Sequence, residues 1–302
     1  MRIIRTDIGG TRCPCAATNG LKDMTLDKRV NPFRPEIAAA HLEGIVEAER
    51  FVEGAPFEVG EALADLRHAA SPDAALDTQA LCGERVTVYE VSDEGWAWGQ
   101  LENDGYVGWL PANALVTPGA APTHKVIVPR TLCFPAPDIK RPPLAALSLG
   151  ATLAIARQDD RFAVTETGWH LPVGHIAPLA TTYRDYVAVA EMLLGAPYLW
   201  GGKTSLGIDC SGLVQVALTA TGIASPRDSD MQEATLGRTV TIDELARGDL
   251  VFWKGHVAIA RDERTLLHAN AFHMMVALEP LAWAAQRIKA AGGEITAVKR
   301  IL

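Results

Sequence analysis

The sequence predicts an α+β protein in which two small β-barrels precede a domain of helices followed by an antiparallel sheet. Three observations carry this. Between Phe57 and Leu179, short β-type runs alternate with turn residues and come in two similar copies. From Thr181 the apolar residues switch to helical spacing. Beyond Gly222, the runs "DLVFW", "HVAIAR" and "TLLHAN" have the length and character of strands. Helices first and strands afterwards is an α+β plan.

Taken in order, residues 1–56 read as a polar tail followed by one helix. Pro35 suits a first helical position, and Ile37, Leu42, Ile45, Val46 and Val52 keep roughly helical spacing until Gly54 and Pro56. Residues 57–118 form the first β-copy, containing "LCGERVTVYEV" and "DGYVGWLPANALV". Residues 119–180 form the second, containing "LSLGATLAIAR" and "TGWHLPVGHIAPL". Each copy has a glycine turn, alternating apolar residues, an aromatic-rich strand and a closing "xxAxL"-like turn. Residues 181–302 form the last domain. "YRDYVAVAEMLLG" and "SGLVQVALTATG" read as helices, followed by the three strands, a helical "PLAWAAQRIKAAGG" and a closing strand "ITAVKRIL".

The chain of 302 residues is 48% hydrophobic and 21% charged, with a net charge of −8. That charge argues against nucleic acid or an anionic membrane as the main partner. The N-terminus carries Arg2 and Arg5 without an uninterrupted apolar core, and no segment has the length of a membrane span, so a cytoplasmic protein is expected. Five scattered cysteines do not form a disulfide framework. Cys13 and Cys15 lack a neighbouring Cys or His pair and read as part of the tail rather than half of a metal site.

The chemistry centres on "GIDCSGLVQVAL". Asp209 is a good N-cap, which puts Cys210 in the first turn of a helix, where free N–H groups and the helix dipole favour a thiolate and can receive an oxyanion. A buried helix cysteine is the plain alternative. In "GHVAIARDERTLLHAN", His256 and His268 each lie six residues from Asp262. A hairpin centred there sets them directly opposite, one imidazole to contact the thiol and one to orient the first. A zinc site of Cys210, His256 and His268 is chemically reasonable, but no glutamate stands in a clear general-base position, and no metal or cofactor is expected. His273 reads as a loop histidine, and His41, His68, His124, His170 and His175 carry no signal.

Together, "PYLWGGKTSLGIDCSGLVQ", "GDLVFW", "GHVAI" and "LLHAN" resemble the NlpC-type peptidoglycan cysteine peptidases, which have a papain-like fold. The two β-copies resemble tandem bacterial SH3-like domains. The resemblance implies Cys210 as nucleophile, His256 as general base, His268 as orienting residue and Tyr198 as a tyrosine held near the oxyanion. The domain combination resembles the γ-D-glutamyl-L-diamino-acid endopeptidases. This implies a cell-wall peptide substrate with a free N-terminal L-alanine, cut after γ-D-glutamate, in wall-peptide recycling. Asp209, Ser211 and Ser229, with Glu84 and Tyr106 of the first barrel, would then read the alanine end, and the diamino acid beyond the cut bond is Lys or diaminopimelate. Rival readings are an amidase or acyltransferase of the same fold, and a non-catalytic wall-peptide binding protein.

Overall fold

The computed structural model describes residues 26–301. Cys13 and Cys15 lie outside the described residues. The helix expected after Pro35 does not form. Instead Phe33 pairs antiparallel with Ala38, Ala38 also pairs in parallel with Phe51, and only a 3-10 turn spans Ala40–Leu42. Ile37 is fully buried against Trp98 and Val107 of the next unit, whereas Ile45 is 65% exposed. The supposed helical stripe is therefore split between two environments, and Gly44, with φ of +79°, interrupts it. Burial against a neighbouring sheet outweighs local spacing here.

Seven strands between Ala55 and Val116 form one curved sheet whose last strand returns to the first, with Leu115 opposite Val59. Alternation decides the core: in Leu63–Arg67, Ala64 and Leu66 point inward to meet Val59, Val86, Leu101 and Leu110. A second all-β unit spans His124 to Pro178 with its own core of Val126, Leu147, Leu153, Leu171 and Ile176. Both units end alike. Val107–Pro111, a 3-10 turn at Ala112–Ala114 and Leu115–Val116 are matched by His170–Pro172, a 3-10 turn at Val173–His175 and Ile176–Pro178. The units abut tightly, because a Cβ at Gly83 would lie 2.3 Å from the Thr152 carbonyl oxygen. Cys82 and Cys133 are buried beside this junction, where burial pushes both thiols up to about 12.

The remaining chain builds a six-stranded antiparallel sheet in the order 238–240, 295–300, 250–253, 256–260, 265–270 and 275–280. Helix α1 (Tyr186–Glu191) is capped by Asp185, which accepts from the Val187 and Ala188 N–H groups. Helix α2 (Cys210–Ala220) lays Leu213, Val214 and Ala217 on one sheet face, against Phe252, Val257, Ile259 and Leu267. Helix α3 (Ser229–Thr235) follows, and α4 (Leu281–Ala290) covers the other face through Ala284, against Val251, Ala258 and Leu266. Both faces are covered, so these strands read as continuous apolar runs rather than alternating ones. Among the described residues, no helix is long and apolar enough to cross a membrane.

Candidate active site

Cys210 opens α2 and is 7% exposed. Its preceding residue is tied down from several directions. The Asp209 carboxylate accepts from the Gly212 N–H at 2.7 Å, from the Gly201 N–H at 2.8 Å, and from Arg227 at 2.7 and 2.9 Å. The Arg227 guanidinium is 1% exposed and also donates to Thr78 Oγ1 at 2.8 Å, to Ser211 Oγ at 2.9 Å and to the Gly202 carbonyl at 3.3 Å. Thr78 belongs to the first barrel, as does Gln79, whose Oε1 accepts from the Lys203 N–H at 3.1 Å. That barrel is thus hydrogen-bonded directly to the loop that carries the thiol. Gly212 has to be glycine, since a Cβ there would lie 2.3 Å from the Gly202 carbonyl oxygen.

His256 and His268 do meet, with His256 Nε2 at 2.9 Å from His268 Nδ1. Their relation in the sheet differs from the expected one. Ile259 faces Leu267 and Ala260 faces Leu266, so the turn is centred one residue later than Asp262 and the histidines are diagonal neighbours. Diagonal positions on one face remain within reach of aromatic side chains. His268 is fully buried, and its Nε2 lies 3.0 Å from Glu279 Oε2. Arg287 of α4 holds that carboxylate at 2.8 and 3.1 Å. Burial pushes Glu279 up, but Arg287 and His268 outweigh it and leave the carboxyl below its usual value.

This chain of contacts fixes proton positions. The Glu279 carboxylate only accepts, so His268 carries its proton on Nε2 and presents the Nδ1 lone pair. His256 must then donate from Nε2, which leaves its Nδ1 free as a base. The Val257 N–H, one residue along, points at the Cys210 sulfur. Tyr198, paired by a bridge to Ile208, stays a protonated donor. Burial, followed by Cys210 and Asp209, pushes its phenol up to about 12.

The helix start does not lower the thiol as expected. Burial first, then Asp209, raise Cys210 to about 11 against the opposing pull of the Val257 N–H, Arg227 and the Ser211 N–H. Burial, then His268, lower His256 to about 3. The resting pair is therefore neutral thiol and neutral imidazole. Iodoacetamide alkylation of Cys210 should climb about tenfold per pH unit between about pH 7 and 10. A rate already flat across that range would show a preformed thiolate.

The structure brings Tyr106 and the Ser229 segment together, because the Tyr106 hydroxyl donates to Asp228 Oδ2 at 3.0 Å. Asp228, which sequence reasoning missed, also accepts from Arg29 at 2.8 Å, and partly buried Asp77 lies near it, pushed up by burial. Ser229, half-buried, begins α3 beside them. Ser211 is buried, its hydroxyl lying 3.4 Å from Asp209 Oδ1. Glu84 is not part of this cluster. It is 6% exposed, its Oε1 lies 3.4 Å from Lys203 Nζ, and it lines a separate cavity. Glu279 was hidden in the sequence because "MVALEP" carries no spacing relation to His268. Arg227 and Asp228 were legible only as neighbours of Ser229 in "PRDSD".

A family model described as "NlpC/P60 family" matches residues 195–287, and one described as "Bacterial dipeptidyl-peptidase Sh3 domain" matches residues 66–115. The gamma-D-glutamyl-L-lysine dipeptidyl-peptidase of Bacillus cereus is 30% identical over 243 residues, covering 68% of this chain and 71% of that protein. The chain belongs to the NlpC/P60 family. Dipeptidyl-peptidase 6 of Lysinibacillus sphaericus is 40% identical over 87 residues, 29% of this chain and 32% of its own length. The gamma-D-glutamyl-L-lysine dipeptidyl-peptidase of Bacillus subtilis is 28% identical over 194 residues, 60% of this chain and 65% of its own. The chain thus spans 32%, 71% and 65% of the lengths of the Lysinibacillus, B. cereus and B. subtilis proteins. The fold agrees. The crystal structure of an NlpC/P60 family protein from Bacillus cereus superposes with a TM-score of 0.70 at 23% identity, covering 82% of this chain and 100% of that one. In this NlpC/P60 chain, Cys210, His256 and His268 occupy a helix start and two adjacent strands of one domain, with an SH3-like domain bonded to the nucleophile loop.

Proposed function

We propose that the protein is a cysteine endopeptidase that cuts the γ-D-glutamyl-L-diamino acid bond of cell-wall peptides with a free N-terminal L-alanine. The observation that carries the reaction is the ordered relay Glu279–His268–His256, which leaves one imidazole nitrogen as a base on the residue next to Val257, whose N–H points at the helix-start thiol. The thiol proton passes to His256 Nδ1 as the sulfur attacks the γ-carbonyl, so that a C–S bond forms while the Cys210 N–H and Tyr198 stabilise the oxyanion. His256 then protonates the leaving amine as the C–N bond breaks. Water, deprotonated by His256, hydrolyses the thioester and returns the thiol.

Selectivity rests on the acidic corner made by Asp228, Ser229 and Tyr106. A desolvated ammonium needs paired acceptors, and Asp228 already accepts one cation, the Arg29 guanidinium. In this reading Asp209 and Ser211 hold the loop rather than the substrate, since Arg227 occupies their oxygens. Residues 57–118 and 119–180 are read as two SH3-like barrels, the first closing the amine end, and 181–302 as the peptidase domain. An acylated peptide loses its charge and meets that wall, so released wall peptides in recycling are the natural substrates.

The test offers L-Ala-γ-D-Glu-L-Lys and its N-acetylated form to wild type, Cys210→Ala and Asp228→Asn. Wild type should cleave only the free-amine peptide, and Cys210→Ala neither. Asp228→Asn should lose about ten- to hundredfold in kcat/KM, the worth of one charge-assisted hydrogen bond. Equal cleavage of both peptides by wild type would leave a general wall hydrolase.

A further inference from the structure

Arg29 precedes the first barrel in the chain, yet its backbone is bonded to that barrel beside Tyr106. The Val107 N–H donates to the Arg29 carbonyl at 2.8 Å, and Gln100 Nε2 donates to the Val30 carbonyl at 3.0 Å. From this anchored backbone the Arg29 guanidinium crosses to α3 of the NlpC/P60 domain. It donates to Asp228 Oδ2 at 2.8 Å, to the two Asp230 oxygens at 2.9 and 2.7 Å, and to Asp27 Oδ2 at 2.8 Å. Hydrogen bonds from Arg29 hold the Asp27 and Asp230 carboxyls below their usual value, so both stay charged. Three carboxylates thus surround one guanidinium, which leaves the corner negative and open to a second cation.

Asp228 breaks a local rule within this corner. It stands at the N-cap of α3, where an aspartate ordinarily accepts from the N–H groups of the first turn. Its side chain makes no such bond. Instead Oδ2 accepts from Arg29 Nη1 and from the Tyr106 hydroxyl, at 2.8 and 3.0 Å. A forgone cap weakens a helix, and such local conflicts gather at functional sites. Among the described residues both bonds fall on the same oxygen, so Oδ1 remains for a further donor. The Asp228 side chain is 25% exposed, and a dissolved ligand can therefore reach the carboxylate.

We infer that Arg29 is a positioning residue for amine recognition: with Tyr106 it draws Asp228 off the α3 cap and holds Oδ2, which leaves Oδ1 to the substrate ammonium. The inference rests on the reading of Asp228 as the amine acceptor. The donors of Arg29 are spent on three carboxylates, so it acts through Asp228 rather than on the peptide. Without Arg29 the Asp228 carboxylate can fall back on the N–H groups of α3. The corner then loses an acceptor while the helix loses no stability.

Steady-state kinetics of the full-length protein on L-Ala-γ-D-Glu-L-Lys should compare wild type, Arg29→Gln, Arg29→Lys, Asp228→Asn and the double variant of Arg29→Gln with Asp228→Asn. Urea unfolding of each protein runs alongside. Arg29→Gln should raise KM about three- to tenfold, the worth of one hydrogen bond, with kcat and the unfolding midpoint little changed. Arg29→Lys should recover part of that loss, since a cation remains but the planar fork does not. The double variant should have the KM of Asp228→Asn alone, because a residue acting through Asp228 then has nothing left to position. A KM that falls in Arg29→Gln would make the guanidinium a competitor for the amine and overturn the inference. An unchanged KM, effects that multiply in the double variant, or a fall in kcat that tracks lost stability would overturn it as well. Wild-type kinetics in Asp228→Asn would instead remove the amine reading itself, and the role of Arg29 with it.

Discussion

Arg227→Met is expected to destabilise the protein by about 3–5 kcal/mol, the usual result of removing one partner from a buried ion pair. The guanidinium is 1% exposed and holds Asp209 at 2.7 Å, so the substitution strands a carboxylate that is itself buried. Asp209 would keep only its backbone N–H donors and the Ser211 hydroxyl. The bond to Thr78 would also go, and with it one of the ties between the first barrel and the nucleophile loop. Arg227→Lys should recover only part of the loss, because an ammonium cannot span Asp209, Ser211 and Thr78 as the planar fork does. The decisive comparison is Arg227→Met combined with Asp209→Asn. Removing both charges should restore much of the stability lost in the single variant, because the expense lies in the unpaired charge rather than in the absent bond. Urea unfolding of the four proteins measures this. A single-variant loss below about 1 kcal/mol would place the pair with exposed salt bridges and take away its structural role.

How much of this was legible in the sequence depends on where each signal sits. The helix start at Cys210 was legible because capping is local: Asp209 accepts the Gly212 N–H three residues on. The His256–His268 hairpin was legible in pairing but not in register, since a turn centred one residue later leaves both imidazoles on the same face. The segment after Pro35 was misleading because its apolar spacing suits a helix, while Ile37 is claimed by Trp98 far along the chain. Such long-range claims leave no periodic trace. Arg227 reaching Thr78, Tyr106 reaching Asp228 and Glu279 reaching His268 are contacts of the same kind. Family resemblance supplied the roles read for Cys210, His256 and His268, and it placed Glu84 at the amine end, whereas in the structure that carboxylate faces Lys203.

Glu279→Gln is expected to lower kcat by about 10²- to 10⁴-fold with little change in KM, an effect of the size seen when an orienting carboxylate is replaced in a catalytic triad. The cause is a change of tautomer along the relay. Arg287 donates to both Glu279 oxygens, one of them the oxygen that faces His268, so a glutamine must set its NH₂ group against one Arg287 donor; with its oxygen kept on Arg287 Nε, the NH₂ group faces His268. His268 Nε2 must then accept, which moves its proton to Nδ1. That proton now points at His256 Nε2 across the 2.9 Å contact. His256 in turn carries its own proton on Nδ1, the nitrogen that has to accept the thiol proton. The base is blocked two residues away from the substitution, while the proposed binding corner at Asp228 is untouched. Glu279→Asp keeps an acceptor-only group and should retain more activity than Glu279→Gln, although its shorter arm loosens the contact. A purely structural role would instead lower the two variants alike and in proportion to their loss of stability. Steady-state kinetics on L-Ala-γ-D-Glu-L-Lys, with unfolding curves for each variant, separates these outcomes. A Glu279→Gln protein with wild-type kcat would show that His256 is oriented without the carboxylate.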